Sequence, residues 1–317
     1  MQSEQEAIIA KFGSRFKPEF ITRYSKLTDF ELFKLSSLKF LRRSIRVNTL
    51  KIKKQELMGR LEGDWRLVQV PWCEEGFFIE HKKEERRDVG NLIEHSLGYF
   101  YVQESMSMLP VQFLELKEND VVLDMCAAPG SKSTQIAAAM KNKGVLIAND
   151  SDYKRLKALT INLQRCGVMN CIVNLSYGHL IKGSFDKILV DAPCSATGAI
   201  RKSLKTIEMW NPKIIKRMAG MQKRLLISAF NNLKDNGILV YSTCSVEPEE
   251  NEGVVNFLLE RFDNIRLEKT DISGLKMSPT ILEFEGAAYS WEIKKCLRIW
   301  PQDNDTSGFF VSKIRKL

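Results

Sequence analysis

The chain has 317 residues, 44% of them hydrophobic and 27% charged, and its 48 Lys and Arg against 39 Asp and Glu give a formal net charge of +9. That length holds a catalytic domain with a smaller appendage, no apolar run approaches the roughly 20 residues of a membrane span, and the basic excess suits a polyanionic partner such as nucleic acid, although charge by itself fits a merely basic soluble protein about equally well. The seven cysteines (Cys73, Cys126, Cys166, Cys171, Cys194, Cys244 and Cys296) are odd in number, form no Cys-x-x-Cys pair and accompany only three histidines, which argues against a disulfide scaffold or structural zinc and for a reducing, cytoplasmic setting. The opening MQSEQEAIIAKF has charges inside its short apolar stretch and no cleavage pattern, so it is not read as a signal peptide.

Residues 1 to about 40 read as helical, because Ile8, Ile9 and Phe12, then Phe20, Ile21 and Tyr24, recur at helical spacing, and Thr28-Asp-Phe-Glu-Leu has the acids of a helix start. From 41 to 100, IRVNTL (45–50), WRLVQV (65–70) and GFFIE (76–80) are short strands, with a helix over 51–62. Basic residues are dense in this α+β unit: Arg42, Arg43, Arg46, Lys51, Lys53, Lys54, Lys82, Lys83, Arg86 and Arg87. Such clusters are usually solvated faces, and an RNA-docking surface is the functional alternative. From 120 to 260 strand and helix alternate: VVLDM (121–125), a helix over 133–141, VLIAND (145–150), a helix around 152–166, CIVNL (171–175) and FDKILVDAP (185–193). A long helix over about 212–234 then ends near Asn236-Gly237, and ILVYSTCS (238–245) follows. This rhythm predicts an α/β fold with a doubly wound, mostly parallel sheet, whose ligands sit at the carboxyl ends of the strands. The division expected is an N-terminal helical and α+β region over 1–105 and a catalytic domain over 106–317.

The unusual residues fall at those strand ends. The first strand runs into Asp124-Met-Cys126-Ala127-Ala128-Pro129-Gly130-Ser131-Lys132, a small-residue loop that lets backbone approach a ligand and opens a helix with free N–H groups. It has too few glycines for a pyrophosphate loop. It suits a carboxylate such as the methionine end of S-adenosylmethionine, with Lys132 nearby as a cation. The second strand ends in Asp150, placed to accept from ribose hydroxyls. A tight turn and a helix-capping Asp are the structural alternative.

Two further strand ends carry Asp191-Ala-Pro-Cys194-Ser-Ala-Thr-Gly198 and Tyr241-Ser-Thr-Cys244-Ser245. A lone cysteine in an apolar setting is usually packing; two at neighbouring strand ends, one with an Asp three residues earlier, suit methylation of a pyrimidine at C5. That carbon is a poor nucleophile until a thiolate adds to C6, and a carboxyl group at N3 stabilises the charge that addition pushes onto the ring. Asp191 is the candidate for N3, Cys244 for attack and Cys194 for elimination, although the residues alone do not say which cysteine attacks.

DAPCS-x-TG with STCS, reinforced by MCAAPGSK after a strand, resembles the Sun/Fmu-type family of RNA cytosine-5 methyltransferases over roughly 45–315. RVNTL (46–50), YVQESMSMLP (101–110), the PEENE run (248–252) and GFFVSK (308–313) are weaker matches. The resemblance implies a Rossmann-like S-adenosylmethionine methyltransferase fold with Cys244 as nucleophile, Cys194 assisting product release and Asp191 touching both cytosine and cofactor. It also implies that residues 126–132, Asp150 and Arg155 hold S-adenosylmethionine. Members commonly carry an Asp after the third strand; this chain has none over 174–179, and Tyr177 is the candidate for the adenine contact. Ser307 stands where members often have Asp. The chain resembles the family's short archaeal, tRNA-modifying members, with an RRM-like N-terminal unit docking RNA through Lys and Arg, since RNP-type aromatics are missing. No metal and no membrane are implied, and no protein partner is required. Ribosomal RNA as substrate and a non-catalytic RNA-binding or assembly protein are the rivals. An amino-group methyltransferase is disfavoured, because the Asn/Asp-Pro-Pro-aromatic run those enzymes usually carry is missing.

Overall fold

The computed structural model describes residues 11–84, 86 and 88–317; the helix start read at Ile8 and Ile9, and Arg87 of the basic cluster, lie outside them. Helices α1 (Pro18–Tyr24) and α2 (Phe30–Leu38) open the described chain. Asp29 caps α2 by accepting from the Leu32 N–H at 3.1 Å, as the acid-rich start predicts. Their aromatic faces pack away from the strands that follow them in sequence. Phe20 lies on Tyr24 with ring centroids 3.9 Å apart and meets Trp210 edge-on, and Phe33 and Tyr24 cluster with Val246 and Trp300. By packing, residues 16–38 therefore join the second half of the chain.

Strand β1 (Ser44–Val47), helix α3 (Lys54–Leu61), β2 (Trp65–Gln69), β3 (Gly76–His81) and β4 (Phe100–Val102) form an antiparallel sheet in the order β2-β3-β1-β4, the split βαβ arrangement. Alternation along the strands sends Ile45, Val47, Phe77 and Ile79 into a core with Leu57 and Leu61 of α3. The other face carries Arg46, Phe78 and Tyr101. Over β1 it is covered by the second half of the chain, and for that reason β1 is buried at every position, while Arg66, Val68 and Glu80 stay exposed at the β2–β3 edge. Arg46, counted above among the basic cluster, is therefore not part of a solvated face. It is 2% exposed; its Nε donates to Gln103 at 2.8 Å and Nη2 to Thr134 Oγ1 at 2.9 Å. Asn48 similarly donates to the Gly98 and Cys166 carbonyls, both at 2.8 Å.

The large sheet contains β5 (Val121–Asp124), β6 (Val145–Asp150), β7 (Cys171–Leu175), β8 (Phe185–Asp191), β9 (Leu233–Thr243), β10 (Ile265–Glu268), a small separate hairpin β11 (Glu283–Phe284) and β12 (Ala287–Ala288) standing apart from it, then β13 (Leu297–Ile299) and β14 (Phe309–Lys316). Its order is β10-β14-β9-β8-β5-β6-β7, with β13 on β14. Strands β9-β8-β5-β6-β7 are parallel and β14 runs antiparallel to β9. Helices α4 (Ser131–Ala139), α5 (Tyr153–Arg165), α6 (Pro212–Asn232) and α7 (Glu252–Arg261) connect or cover the strands, so the doubly wound expectation holds. Helix α6 stops at Asn232, earlier than the Asn236-Gly237 signal suggested, because Leu233 already pairs with Phe185. The register then slips to Lys187↔Ile238, and Asn236 takes a left-handed φ of 61° in the bulge. Among the described residues no helix is long and apolar enough to cross a membrane, and no group of three His, Cys, Asp or Glu side chains could hold a metal.

Truncating Arg46 strands Gln103 and Thr134 at the seam between the two sheets. Arg46→Ala is expected to cost about 3 kcal/mol in urea unfolding, and a loss below about 1 kcal/mol would show that the seam is held by apolar contact alone.

Candidate active site

The switch between β5 and β8, where the chain order reverses, opens a crevice at the carboxyl ends of the strands. Register pairs Asp191 of β8 with Ser242 of β9, so the loops carrying Cys194 and Cys244 leave the sheet side by side. Their sulfur atoms are 3.3 Å apart. The contact with the Cys194 thiol draws Cys244 below the ordinary thiol range against desolvation, with Lys202 and Lys132 adding positive charge. The same contact, with burial, holds Cys194 well above that range.

Close approach of the two loops depends on glycine. Gly198 donates its N–H to the Cys244 carbonyl at 3.0 Å and accepts from Gly308 at 2.7 Å. A Cβ on Gly198 would lie 2.5 Å from the Gly308 carbonyl oxygen and 2.9 Å from that of Cys244. This is the physical content of the Thr-Gly and Gly-Phe-Phe signatures. Ser307, beside Gly308, is buried with its hydroxyl unpartnered.

Beneath the thiols lies Glu250. One oxygen accepts from the Ser245 hydroxyl at 2.9 Å and from the Ser195 hydroxyl; the other accepts from the Ser195 N–H and from Gln222 Nε2, each at 2.9 Å. Gln222 also donates to the Pro193 carbonyl at 2.9 Å. Glu250 thus ties the residue after Cys194 to the residue after Cys244. Its neighbours in and just before the run do the same for the surroundings. Asn251 reaches Thr243 and the Ser245 carbonyl, Glu252 binds the fully buried Arg298, and Glu247 accepts from Tyr24, Trp210 and Arg23.

Asp191 is braced by Ser242 Oγ at 2.8 Å and by Lys132 Nζ at 2.7 Å. Lys132 is 6% exposed and donates also to Ser107 at 2.7 Å. Its ammonium is therefore engaged with the catalytic carboxylate candidate, and is not left free for a ligand carboxylate as the sequence reading had it. Asp150, 2% exposed, accepts from the Ala128 and Asp152 N–H groups and pairs with Arg155 at 3.1 Å, and Arg155 also donates to the Ala128 carbonyl. Cys126, Asp150, Arg155 and Tyr177 line one cavity of about 200 Å³, together with Asn149, Ser151, His179, Pro193, Met221 and Arg224 among others. Asn149 ties the strand ends around it, donating to the Met125 and Ser176 carbonyls at 3.0 Å. The side chains of Ala127, Ala128, Pro129, Gly130, Ser131 and Lys132 do not line this cavity: Ala127 and Ala128 pack on Leu156 and Leu159, and Pro129 accepts from Asn162. Gly130, at φ 104°, has Leu159 2.9 Å from where a Cβ would be.

Of the predicted site, the fold brings Cys194 and Cys244 into contact, sets Lys132 on Asp191, and gathers Cys126, Asp150, Arg155 and Tyr177. Sequence reasoning missed Ser107, Gln222, Ser242 and the use of Glu250. Ser107 and Glu250 lie in YVQESMSMLP and PEENE, but nothing in those strings says that their side chains turn inward.

A parallel sheet of this order, with an acid at the end of β6 and two cysteines in contact beyond the ends of β8 and β9, defines a Rossmann-like methyltransferase. Residues 111–315 match the model of the 16S rRNA methyltransferase RsmB/F family, and residues 16–105 that of the N-terminal domain of 16S rRNA methyltransferase RsmF. The chain is 45% identical, over 95% of its length and 97% of the relative's, to the tRNA (cytosine(49)-C(5))-methyltransferase of Pyrococcus abyssi. It is 47% identical to ribosomal RNA small subunit methyltransferase F of Photobacterium profundum over 87% of its length, spanning 58% of that relative. Among solved structures it is similar to a methyltransferase homologue from Pyrococcus horikoshii (TM-score 0.85, 37% identity, 99% of both chains). It is also similar to NSun6 of the same organism with the S-adenosylmethionine analogue SFG (TM-score 0.77, 27% identity, 98% and 97%). The chain belongs to the RsmB/F family of S-adenosylmethionine-dependent RNA methyltransferases, so the Sun/Fmu-type resemblance holds.

Two measurements test this geometry. All four donors on Glu250 point at its oxygens, so Glu250→Gln must turn an amide N–H₂ onto donors. The variant should keep RNA affinity while kcat falls about 100-fold; an unchanged kcat would remove Glu250 from the support of the thiols. Asp124, at the end of β5, is lifted by burial to about 7, with only Ser133 and Lys132 opposing, and its Oδ1 has no partner. In an unfolded chain it titrates near ~3.9, so the folded state holds the proton across that window. Its contribution is fully present below about pH 4 and is lost as pH rises toward 7, by on the order of 4 kcal/mol. Asp124→Asn should flatten the stability profile between those values relative to the parent, and parallel urea-melt profiles would contradict the assignment.

Proposed function

We propose that the chain transfers a methyl group from S-adenosylmethionine to C5 of a cytosine in structured RNA, a tRNA in the first place, through a covalent bond between Cys244 and C6. The observation that carries this reading is the 3.3 Å contact of Cys194 and Cys244 beside the braced Asp191.

Asp150, Arg155, Tyr177, Asp191 and the backbone of Cys126–Lys132 would hold S-adenosylmethionine, which supplies an electrophilic methyl when bound. The residues present fit it: a buried acid stands at the end of β6, where ribose hydroxyls are held in such folds, and Arg155, half exposed, closes over it. Cys244, already drawn toward the thiolate by Cys194, adds to C6, and the C5–C6 electron pair moves to C5. Asp191 holds the N3 edge, with Lys132 beside it supplying the compensating charge. After C5 is methylated, loss of its proton reforms the double bond and expels Cys244; Cys194, in contact with the leaving sulfur, assists that step.

In this reading residues 106–317 carry the chemistry and the region up to about residue 105 docks RNA. The tRNA preference is supported by near-complete coverage of the Pyrococcus abyssi enzyme; the bacterial rRNA enzymes, of which the chain spans 58%, favour the second substrate. Retention of both thiols with Asp191 argues against a non-catalytic role.

Cys244→Ala should abolish methyl transfer and any denaturant-resistant protein–RNA adduct, whereas Cys194→Ala should let that adduct accumulate on denaturing gels. Exchange of the two outcomes would reverse the roles. Methyl acceptance by purified tRNA against rRNA fragments, with 5-methylcytosine mapped in the product, decides the substrate; preferential methylation of rRNA would overturn the tRNA assignment.

A further inference from the structure

The basic cluster of the N-terminal unit is less available for RNA than its composition suggests. Arg46 is buried. Lys51 is taken up by the Leu97 and Arg165 carbonyls, and Lys54 and Arg86 pair with Glu74 and Asp88. The sheet face opposite α3 is covered over β1, and only Arg66, Val68 and Glu80 at its β2–β3 edge stay exposed. Arg43, Lys53 and Lys83 stay exposed and form no ion pair among the described residues, and a second cationic surface would add to them.

Helix α6 supplies one. Its 21 residues contain Lys213, Lys216, Arg217, Lys223 and Arg224 and no acid. None of the five forms an ion pair among the described residues, although Lys223 lies over the Phe257 ring at 4.8 Å. At about 100° per residue, Lys213, Arg217, Met221 and Arg224 fall within one arc of about 80°. Lys213, Arg217 and Arg224 are exposed, and Met221 and Arg224 line the cavity assigned above to the cofactor. Arg217 and Lys213 therefore stand about 6 and 12 Å along the axis from Met221. Because β8 runs toward the crevice and α6 returns from it, this half of the helix lies at the crevice end. Gln222, on the inward face, holds Glu250 and Pro193, which fixes the helix rotation relative to the thiols.

We propose that Lys213 and Arg217 form a phosphate track that carries the RNA strand flanking the target cytosine to the mouth of the crevice. The proposal rests on the RNA reading above and adds the place where the strand runs. An unpaired, acid-free row of cations one helical turn apart suits successive phosphates of a single strand. It also supplies attraction near the point where the target base must leave its stack, a step that costs energy.

The test uses the full chain with charge-removing substitutions that leave the cofactor lining intact: Lys213→Gln with Arg217→Gln, compared with Lys294→Gln, an exposed cation on another part of the surface. In binding titrations with tRNA across 50–300 mM salt, the double variant should weaken binding about 10-fold or more. The slope of log K against log salt should become shallower by about 1.5, as expected for two lost phosphate contacts at roughly 0.7–0.9 each. The melting temperature, S-adenosylmethionine affinity and kcat at saturating RNA should stay at parental values, and Lys294→Gln should change none of these. Parental affinity and slope in the double variant overturn the track and leave the row to an acidic protein. A fall in kcat with unchanged RNA affinity overturns it in favour of a structural role. A parent chain that binds no RNA removes the functional reading itself, which distinguishes that failure from failure of the track.

Discussion

Glu250 stands between two loops that leave neighbouring strands independently and must meet at sulfur-to-sulfur contact. Its carboxylate is fully buried and accepts four hydrogen bonds, from Ser195 twice, Ser245 and Gln222. A buried charge with fewer partners would be costly; with all its acceptor sites met it becomes a rigid joint. Burial raises its protonation tendency while Ser195 and the other donors oppose it. The approach of Cys194 to Cys244, whose contact draws the Cys244 thiol down, is held by this joint together with the Gly198 contacts to Cys244 and Gly308.

The same loop anchors the rest of the molecule. Glu247 accepts from Arg23 and Tyr24 of α1, and Glu249 meets Arg23 at 2.6 Å, so the first helices are fastened to the segment that follows Cys244. Glu252 and Arg298, both without exposure, fasten α7 to β13. Buried pairs of this kind add little net stability over apolar packing, yet losing one partner leaves an uncompensated charge. They specify position. The four-stranded sheet is attached by different means, through Arg46 and Asn48, whose donors reach Thr134 of α4 and the Cys166 carbonyl at the end of α5. One seam therefore serves the thiols and the other the helices that follow β5 and β6.

Charge placement has a functional consequence. Many cations of the N-terminal unit are engaged in holding it together, whereas α6 keeps its row free. A basic net charge says that a polyanion is a suitable partner; which cations remain available for it follows only from which ones the fold has already paired.

Much of the architecture was legible in the chain itself. Alternation of short apolar runs with helical segments specified the parallel sheet, since buried parallel strands need continuous apolar stretches and helices need a 3.6-residue stripe. The strand-end rule then placed Asp150, Asp191, Cys194 and Cys244 along one edge of the sheet, because register in a parallel sheet carries residues at strand ends to the same side. What only tertiary structure decided concerns polar side chains whose direction no local pattern encodes. Lys132 turned to Asp191, Arg46 became buried, Glu250 became a joint, and α6 ended at Asn232 because Leu233 was drawn into the sheet. Apolar periodicity is written locally, but the partner of a buried charge lies tens or hundreds of residues away, and only the closed fold determines which one it meets.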